Sequence, residues 1–256
     1  MHIVVLLKAV PIVGNERLDD GYRTQRTQLE ANGNDEYVLE KALKLTESAG
    51  GEVSLLTMGP AGAADALRKA LAMGATRAYH VLDDALAGAC LRQTIDVLTA
   101  AAKKLEFDLL FCGADTSDGQ GGVVASALAV RLGLPYLSYA SEIEPTDGGV
   151  RVHRLSPTGY DVLEASTPAL VMGTQVLGEP RYPSLRGIMQ ARSKEVITWS
   201  LADLGIDPAT VGGANATTRV LGKEAPPQRS GATVLKGAPE EVVAQTVDFL
   251  AQRRLI

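Results

Sequence analysis

Phe107-Asp108-Leu109-Leu110-Phe111-Cys112-Gly113-Ala114-Asp115-Thr116-Ser117-Asp118-Gly119-Gln120-Gly121-Gly122-Val123-Val124 decides the fold, because it reads as a buried strand, a small polar loop and the start of a helix. A short apolar run bounded by Gly suits a strand of a parallel sheet, and 123–132, closed by Gly133 and Pro135, has the spacing of a helix with one buried face. The loop between them carries almost no bulk. Its glycines let backbone amides come close to a ligand, Thr116, Ser117 and Asp118 supply caps and hydroxyls, and the helix start offers unpaired N–H groups to an anion. A phosphate suits such a place. The loop has neither the Gly-Lys-Ser/Thr ending of a P-loop nor a Gly-x-Gly-x-x-Gly fingerprint, so taken alone it leaves an ordinary capped turn equally open.

Upstream, apolar β-branched runs begin near His2, Glu52, Arg77 and Phe107 with helix-period segments between them, the alternation of a parallel sheet with crossover helices. The segment 11–31 is polar and too long for a tight turn, and reads as an excursion over the surface. Asn32-Gly33-Asn34-Asp35-Glu36 then opens a helix, which Asn32 or Asn34 can cap and whose first turn gains from the two carboxylates. A strand over 52–57 passes through Met58-Gly59-Pro60 into an Ala-rich helix over 61–73. A third strand over 77–82 and a third helix over 90–105 follow. In the commonest doubly wound order, strands one and four lie side by side at the switch point. The loops after Leu7 and Cys112 then flank one crevice, with Asn32, Gly33 and Met58 at its sides.

Downstream of Pro135 the pattern changes to alternating strands over 139–144, 150–155 and 160–165, joined by Asp147-Gly148-Gly149 and Ser156-Pro157-Thr158-Gly159, an antiparallel meander. A buried strand over 168–173 leads to Gly178-Glu179-Pro180-Arg181-Tyr182-Pro183-Ser184-Leu185-Arg186-Gly187-Ile188-Met189. Two prolines fix an extended lead into a short helix whose Leu185, Ile188 and Met189 form an apolar patch. Spacing alone favours inward packing of this patch over an exposed docking knob. The stretch 205–236 is loose in Gly, Ala, Thr and Pro. It ends in a helix over 239–253 with Val242, Val243, Val247 and Leu250 on one side, an arm with something to hold.

Composition bounds the function. With 256 residues, 46% hydrophobic and 21% charged, the chain can bury a full core, and neither disorder nor a membrane span is expected. A formal charge of −5 and 4% aromatic residues argue against a nucleic-acid binder. Cys90 and Cys112 indicate neither a disulfide framework nor a zinc site. His2, His80 and His153 fall within strands and not at ligand spacing, so no metal is expected. A stand-alone nucleotide hydrolase or transferase would use the same crevice, but no Walker Lys, metal-binding acid pair or nucleophile elbow lies near it. Met1 leads straight into a strand without an export signal, which points to a bacterial cytoplasmic protein.

Four blocks resemble the β subunit of electron-transfer flavoprotein over essentially the full length: Val4-Val5-Leu6-Leu7-Lys8-Ala9-Val10-Pro11; Asn32 through Asp35-Glu36; Met58-Gly59-Pro60 with Leu67-Arg68-Lys69-Ala70-Leu71-Ala72-Met73-Gly74-Ala75; and Gly178 through Leu185 to Ile188-Met189. The resemblance implies an α/β fold, a doubly wound mostly parallel sheet of adenine-nucleotide α-hydrolase-like type with an antiparallel β meander and a C-terminal arm. It implies that 1–204 form the nucleotide-binding domain, including the meander and a recognition loop, and that 205–256 form an arm and helix packing on an α subunit. It implies a heterodimeric electron carrier, not an enzyme, serving fatty acid β-oxidation. Acyl-CoA dehydrogenase-type donors and a membrane quinone oxidoreductase would be its partners, with no direct membrane insertion and no nucleic acid. AMP would occupy the β pocket and FAD would be held mainly by the α subunit. An electron-bifurcating branch would carry a second FAD in place of AMP. By the same resemblance Leu6, Asn32, Gly33, Asn34, Asp35, Met58 and the run Gly113-Ala114-Asp115-Thr116-Ser117-Asp118-Gly119-Gln120-Gly121-Gly122-Val123-Val124 correspond to cofactor-binding positions. Leu185, with Ile188 and Met189, would dock the dehydrogenase. Many members have Val-Pro-Asp-Thr where this chain has Val10-Pro11-Ile12-Val13, so no FAD ligand is carried over.

Overall fold

A strand buried on both faces must be apolar at every position. In β1 (His2–Leu6) Ile3 and Val5 enter one hydrophobic cluster while Val4 and Leu6 enter another. The structure is a computed structural model describing residues 1–12, 14, 17–224 and 231–256. After β1 come β2 (Ala9–Pro11), β3 (Leu29–Ala31), α1 (Gly33–Ala49), β4 (Glu52–Met58), α2 (Ala63–Met73), β5 (Arg77–Val81) and α3 (Leu91–Ala102). Then follow β6 (Leu109–Gly113), α4 (Val124–Leu132), β7 (Tyr136–Thr146), β8 (Gly149–Ser156), β9 (Gly159–Ser166), β10 (Ala169–Gly173), α5 (Leu185–Ala191), β11 (Val196–Trp199) and α6 (Pro239–Gln252).

The main sheet runs β11-β5-β4-β1-β6-β10-β7-β8-β9, parallel from β11 to β7 and antiparallel through the meander. Helices α1 and α2 cover one face through Val38, Leu39, Leu67 and Leu71, and α3 and α4 cover the other through Ile95, Leu98 and Leu128. This is the α/β, mostly parallel architecture expected from the alternation of runs. The first and fourth crossover strands, β1 and β6, pair directly, Ile3 opposite Leu109 and Val5 opposite Phe111. The strand order reverses between them, so the crevice at their carboxyl ends is the switch point.

Two features depart from the sequence pattern. The excursion over 11–31 is fastened at its base by an antiparallel ladder, Ala9 opposite Ala31 and Pro11 opposite Leu29. An unanticipated strand, β11, adds to the edge at β5, from Val196 opposite Ala78 to Trp199 opposite Val81. To reach that edge from β10, the chain crosses outside α1 and α2 as a strap. Arg181 holds the strap to Glu40 and Glu47 of α1. Arg68 of α2 donates to the carbonyls of Ala191 and Lys194, and Lys194 donates back to those of Leu71 and Ala75.

The chain forms two compact units, Met1–Val220 and Leu221–Ile256. In the second, α6 leaves Val243, Val247 and Phe249 exposed. The loose stretch over 205–236 lies partly outside the described residues. Among those residues no helix is long and apolar enough to cross a membrane.

A candidate cofactor cleft at the switch point and an exposed helix on a strap

Gly113 ends β6 where a side chain has no room: an added Cβ would lie 2.8 Å from Cβ of Asn34 and press on Oδ1 of Asp35. The missing Cβ lets α1 begin directly against the strand end. Asp35, buried there, accepts the backbone N–H of Lys8 at 2.8 Å and of Gly113 at 3.2 Å, tying the ends of β1 and β6 to one carboxylate. Asn32 stands at the N-cap of α1, but its side chain does not cap. Instead Nδ2 donates to the carbonyl of Asp115 at 2.9 Å and Oδ1 accepts the N–H of Ser117 at 3.2 Å. Asn34 Nδ2 donates to Asp115 Oδ1 at 2.7 Å. The two asparagines hold the loop, not the helix end.

Burial pushes the Asp35 carboxyl up from 3.8 to about 7, although the amides of Lys8 and Gly113 favour its ionised form. Between those values the folded chain keeps a proton that the unfolded chain has released, so stability falls as pH rises through that window and levels off above it. The expected slope is at most about 1.4 kcal/mol per pH unit. Asp35→Asn cannot titrate and should flatten this component. Urea unfolding of both chains from about pH 4 to pH 8 measures it, and identical slopes would show that folding leaves the Asp35 carboxyl unshifted.

Charge fixes the middle of the loop. The Asp118 side chain, 3% exposed, accepts from Lys8 Nζ at 2.8 Å and Arg26 Nη2 at 2.7 Å. Lys8 also donates to Thr116 Oγ1 at 3.3 Å, and Arg26 Nη1 donates to the carbonyl of Ala9 at 2.9 Å. Burial opposes ionisation of Asp118, but the hydrogen bonds and the two cations outweigh it and hold the carboxyl below its ordinary value. Gln120 (φ 44°) and Gly122 (φ 62°) turn the chain through the left-handed region. At Gly121 an added Cβ would meet nothing within 4 Å, and α4 begins at Val124 behind Val123, with no side chain capping it.

The resulting cleft has a volume of about 380 Å³ and is walled by Val10, Asn32, Gly33, Asn34, Tyr37 and Ser117 among others. That lies within the span of small-molecule sites, roughly 300–1,000 Å³. Gly119 abuts Lys8 and Thr116. Ala114 donates its N–H to the carbonyl of Gly173, while Val124 packs on the α3 and α4 side and Val123 is exposed. Leu6 and Met58 end β1 and β4 and also pack on that second side, Leu6 buried and Met58 half-buried. The expected set thus lies at one end of the sheet, but of it only Asn32, Gly33, Asn34, Asp115 and Ser117 line this cleft, while Leu6, Met58 and Val124 pack on the other face. An uncapped helix start and an open glycine fit an anion such as a phosphate at the loop.

The strap carries the other expected site. Leu185 is 84% exposed, Met189 73% and Ile188 44%, so the inward packing favoured by spacing is not adopted. Small residues on the opposite side of α5 explain this. Gly187 lies against the carbonyl of Ala72, where a Cβ would collide, and Ala191 is buried four residues later. With 187 and 191 seated on α2, 185 and 189 must face away. The strap leading to α5 is fixed by Arg181: its Nε donates to Glu40 Oε2 at 2.7 Å and its Nη1 to Glu47 Oε1 at 2.5 Å. The Glu40 side chain is 4% exposed. Burial opposes its charge, but Arg181 prevails and lowers its pKa.

Sequence reasoning missed Lys8 and Arg26 as holders of the loop, and Arg181 with Glu40 and Glu47 as holders of the strap. Only the four-residue spacing of Gly187 and Ala191 was available as a signal, pointing to the seated face of α5.

The region over 21–204 matches the family described as Electron transfer flavoprotein domain, and so includes the strap and the cleft apart from its β1–β2 side at Lys8 and Val10. The chain is 34% identical over 260 residues to electron transfer flavoprotein subunit beta of Thermoanaerobacterium thermosaccharolyticum, covering 100% of each. It is 39% identical over 230 residues to the subunit beta of Mycobacterium leprae, covering 86% of each. It is also 34% identical over 262 residues to caffeyl-CoA reductase-Etf complex subunit CarD of Acetobacterium woodii, again covering 100% of each. A parallel sheet with a loop-lined switch point, a meander and a strap-borne helix thus goes with end-to-end similarity to these subunits, and the chain belongs to the electron transfer flavoprotein β-subunit family.

Proposed function

We propose that this chain is the β subunit of a heterodimeric electron carrier that takes electrons from acyl-CoA dehydrogenase-type donors in fatty acid β-oxidation and passes them to a membrane quinone oxidoreductase. Family membership brings a flavin and an α-subunit partner. In this reading the α subunit holds most of the FAD, which supplies the redox chemistry, and the β chain performs no bond chemistry. AMP lies in the switch-point cleft, with Asn32 and Asn34 at its wall and the backbone from Gly119 to Val123 at its phosphate. The exposed Leu185 docks the donor.

The observation that carries the phosphate assignment is Gly121. Its missing Cβ opens onto space that no atom of the chain fills, in a loop otherwise tied down by Asn32, Asn34, Lys8 and Arg26. Gly121→Val should therefore leave the isolated chain as stable as the wild type, yet lower the nucleotide recovered from the purified heterodimer several-fold. Unchanged nucleotide content would place the phosphate elsewhere. A second reading, in which the cleft holds a second FAD, is favoured by the similarity to a subunit of the caffeyl-CoA reductase-Etf complex. Heat extraction and chromatography of the bound cofactors distinguish the two: one FAD with one AMP per heterodimer supports the first, two FAD and no AMP the second.

A further inference from the structure

We propose that Asp118 sets the number of phosphates the cleft accepts: its carboxylate occupies Lys8 and Arg26 in place of a second phosphate, so the loop takes a nucleoside monophosphate and excludes a diphosphate or dinucleotide. This rests on the reading of the cleft as an adenine-nucleotide site.

Two cations lie beside the glycine loop, and both are engaged by one side chain of the loop itself. Lys8 Nζ is 2.8 Å from Asp118 Oδ1, and Arg26 Nη2 is 2.7 Å from Asp118 Oδ2, one oxygen for each cation. That is how two basic residues bind a phosphoryl group, with separate charge-assisted hydrogen bonds to separate oxygens. The carboxylate is held firmly: its side chain is 3% exposed, and both cations have further anchors, Lys8 on Thr116 Oγ1 at 3.3 Å and Arg26 on the carbonyl of Ala9 at 2.9 Å. The Lys8 ammonium lies 3.7 Å from where a Cβ of Gly119 would stand, so the engaged pair is at the loop backbone and not remote from it.

Among the described residues, the wall of the cleft is otherwise uncharged or acidic. The first phosphate has the loop N–H groups and the uncapped start of α4, which bind an anion without a formal charge. The cleft wall contributes Asn32 and Asn34 together with Asp115, Glu30 and Glu36, the last already paired with Lys69 at 2.7 Å. A second phosphate would bring further negative charge toward Asp115 and Asp118, where Lys8 and Arg26 are already engaged. To enter it must displace a nearly buried carboxylate from two ion pairs. Neutralising position 118 removes the competitor and frees both cations together.

The test uses the heterodimer with the α subunit, stripped of the β-pocket nucleotide and titrated calorimetrically with AMP and with ADP. Wild type should bind AMP more tightly. In Asp118→Asn, which keeps the size and loses the charge, the ratio of ADP to AMP affinity should rise tenfold or more, and adding Arg26→Gln should reverse most of that gain. Asp118→Ser is the second variant should Asn not assemble, with the same expectation. An ADP to AMP ratio within about twofold of wild type in an assembled variant overturns the proposal. So does a gain that survives Arg26→Gln. Should the native heterodimer contain two FAD and no AMP, the monophosphate reading of the cleft falls on that count alone, before any variant is made.

Discussion

Leu185→Ala should raise the dehydrogenase concentration needed for half-maximal flavin reduction by about tenfold or more, with a melting temperature within about one degree of wild type. The reason is placement. At 84% exposed, the Leu185 side chain contributes little to the folded chain, so its removal leaves no cavity. Entering a pocket on a partner, the same side chain would contribute roughly 1.5 to 3 kcal/mol, which converts to about tenfold to a hundredfold in dissociation constant. Reduction by a small chemical reductant needs no docking and should be unaltered. A variant that loses melting temperature while keeping its dehydrogenase-dependent rate at limiting partner would return Leu185 to a structural role.

Gly113→Ala should act in the opposite way, lowering stability before any binding is measured. One methyl group would press on Asp35 Oδ1 and come within 2.8 Å of Asn34 Cβ, at the point where α1 is anchored to the ends of β1 and β6. Overpacking of this kind costs about 1 to 3 kcal/mol, or roughly 2 to 12 °C in melting temperature for a chain of this size. Nucleotide should be lost as well, because Asn32 and Asn34 hold the loop from the displaced helix start. Thermal melts of the isolated chain beside those of Gly121→Val separate the two glycines. Equal melting of Gly113→Ala and wild type would mean that α1 can retreat from the strand freely.

The parallel core was legible because its signal is local. Each of β1, β4, β5 and β6 is an apolar run followed by a helix-period segment, and the pairing of the first with the fourth follows from the commonest winding. The short ladders were not. Ala9–Pro11 and Leu29–Ala31 are three residues each, one ending in a proline, and nothing in either segment names its partner. Val196–Trp199 is four residues long, and it is a strand because Ala78–Val81 presents an open edge. The asparagines of the cleft were found as caps and proved to be cross-links, since a cap and a loop tether use the same side-chain groups. Lys8, Arg26 and Asp118 stand far apart in sequence with no periodic spacing, so only the folded chain brings them together. Leu185 was ambiguous because an amphipathic pattern shows that a helix has two sides without showing which one is covered.

The strap between β10 and β11 has a consequence for how the molecule opens. It is the covalent link from β10 to the edge strand β11, and it is fastened along its length by Arg181, Arg68 and Lys194. Melting of α5 therefore cannot stay local: releasing the carbonyls of Ala191 and Lys194 frees the segment that holds β11 in register with β5. Amide protons of α5 and of β11 belong to one cooperative unit and should exchange with solvent at a common opening free energy, although α5 is exposed and β11 is hydrogen-bonded into the sheet. The projecting helix thus takes its rigidity from a strand at the far edge of the sheet.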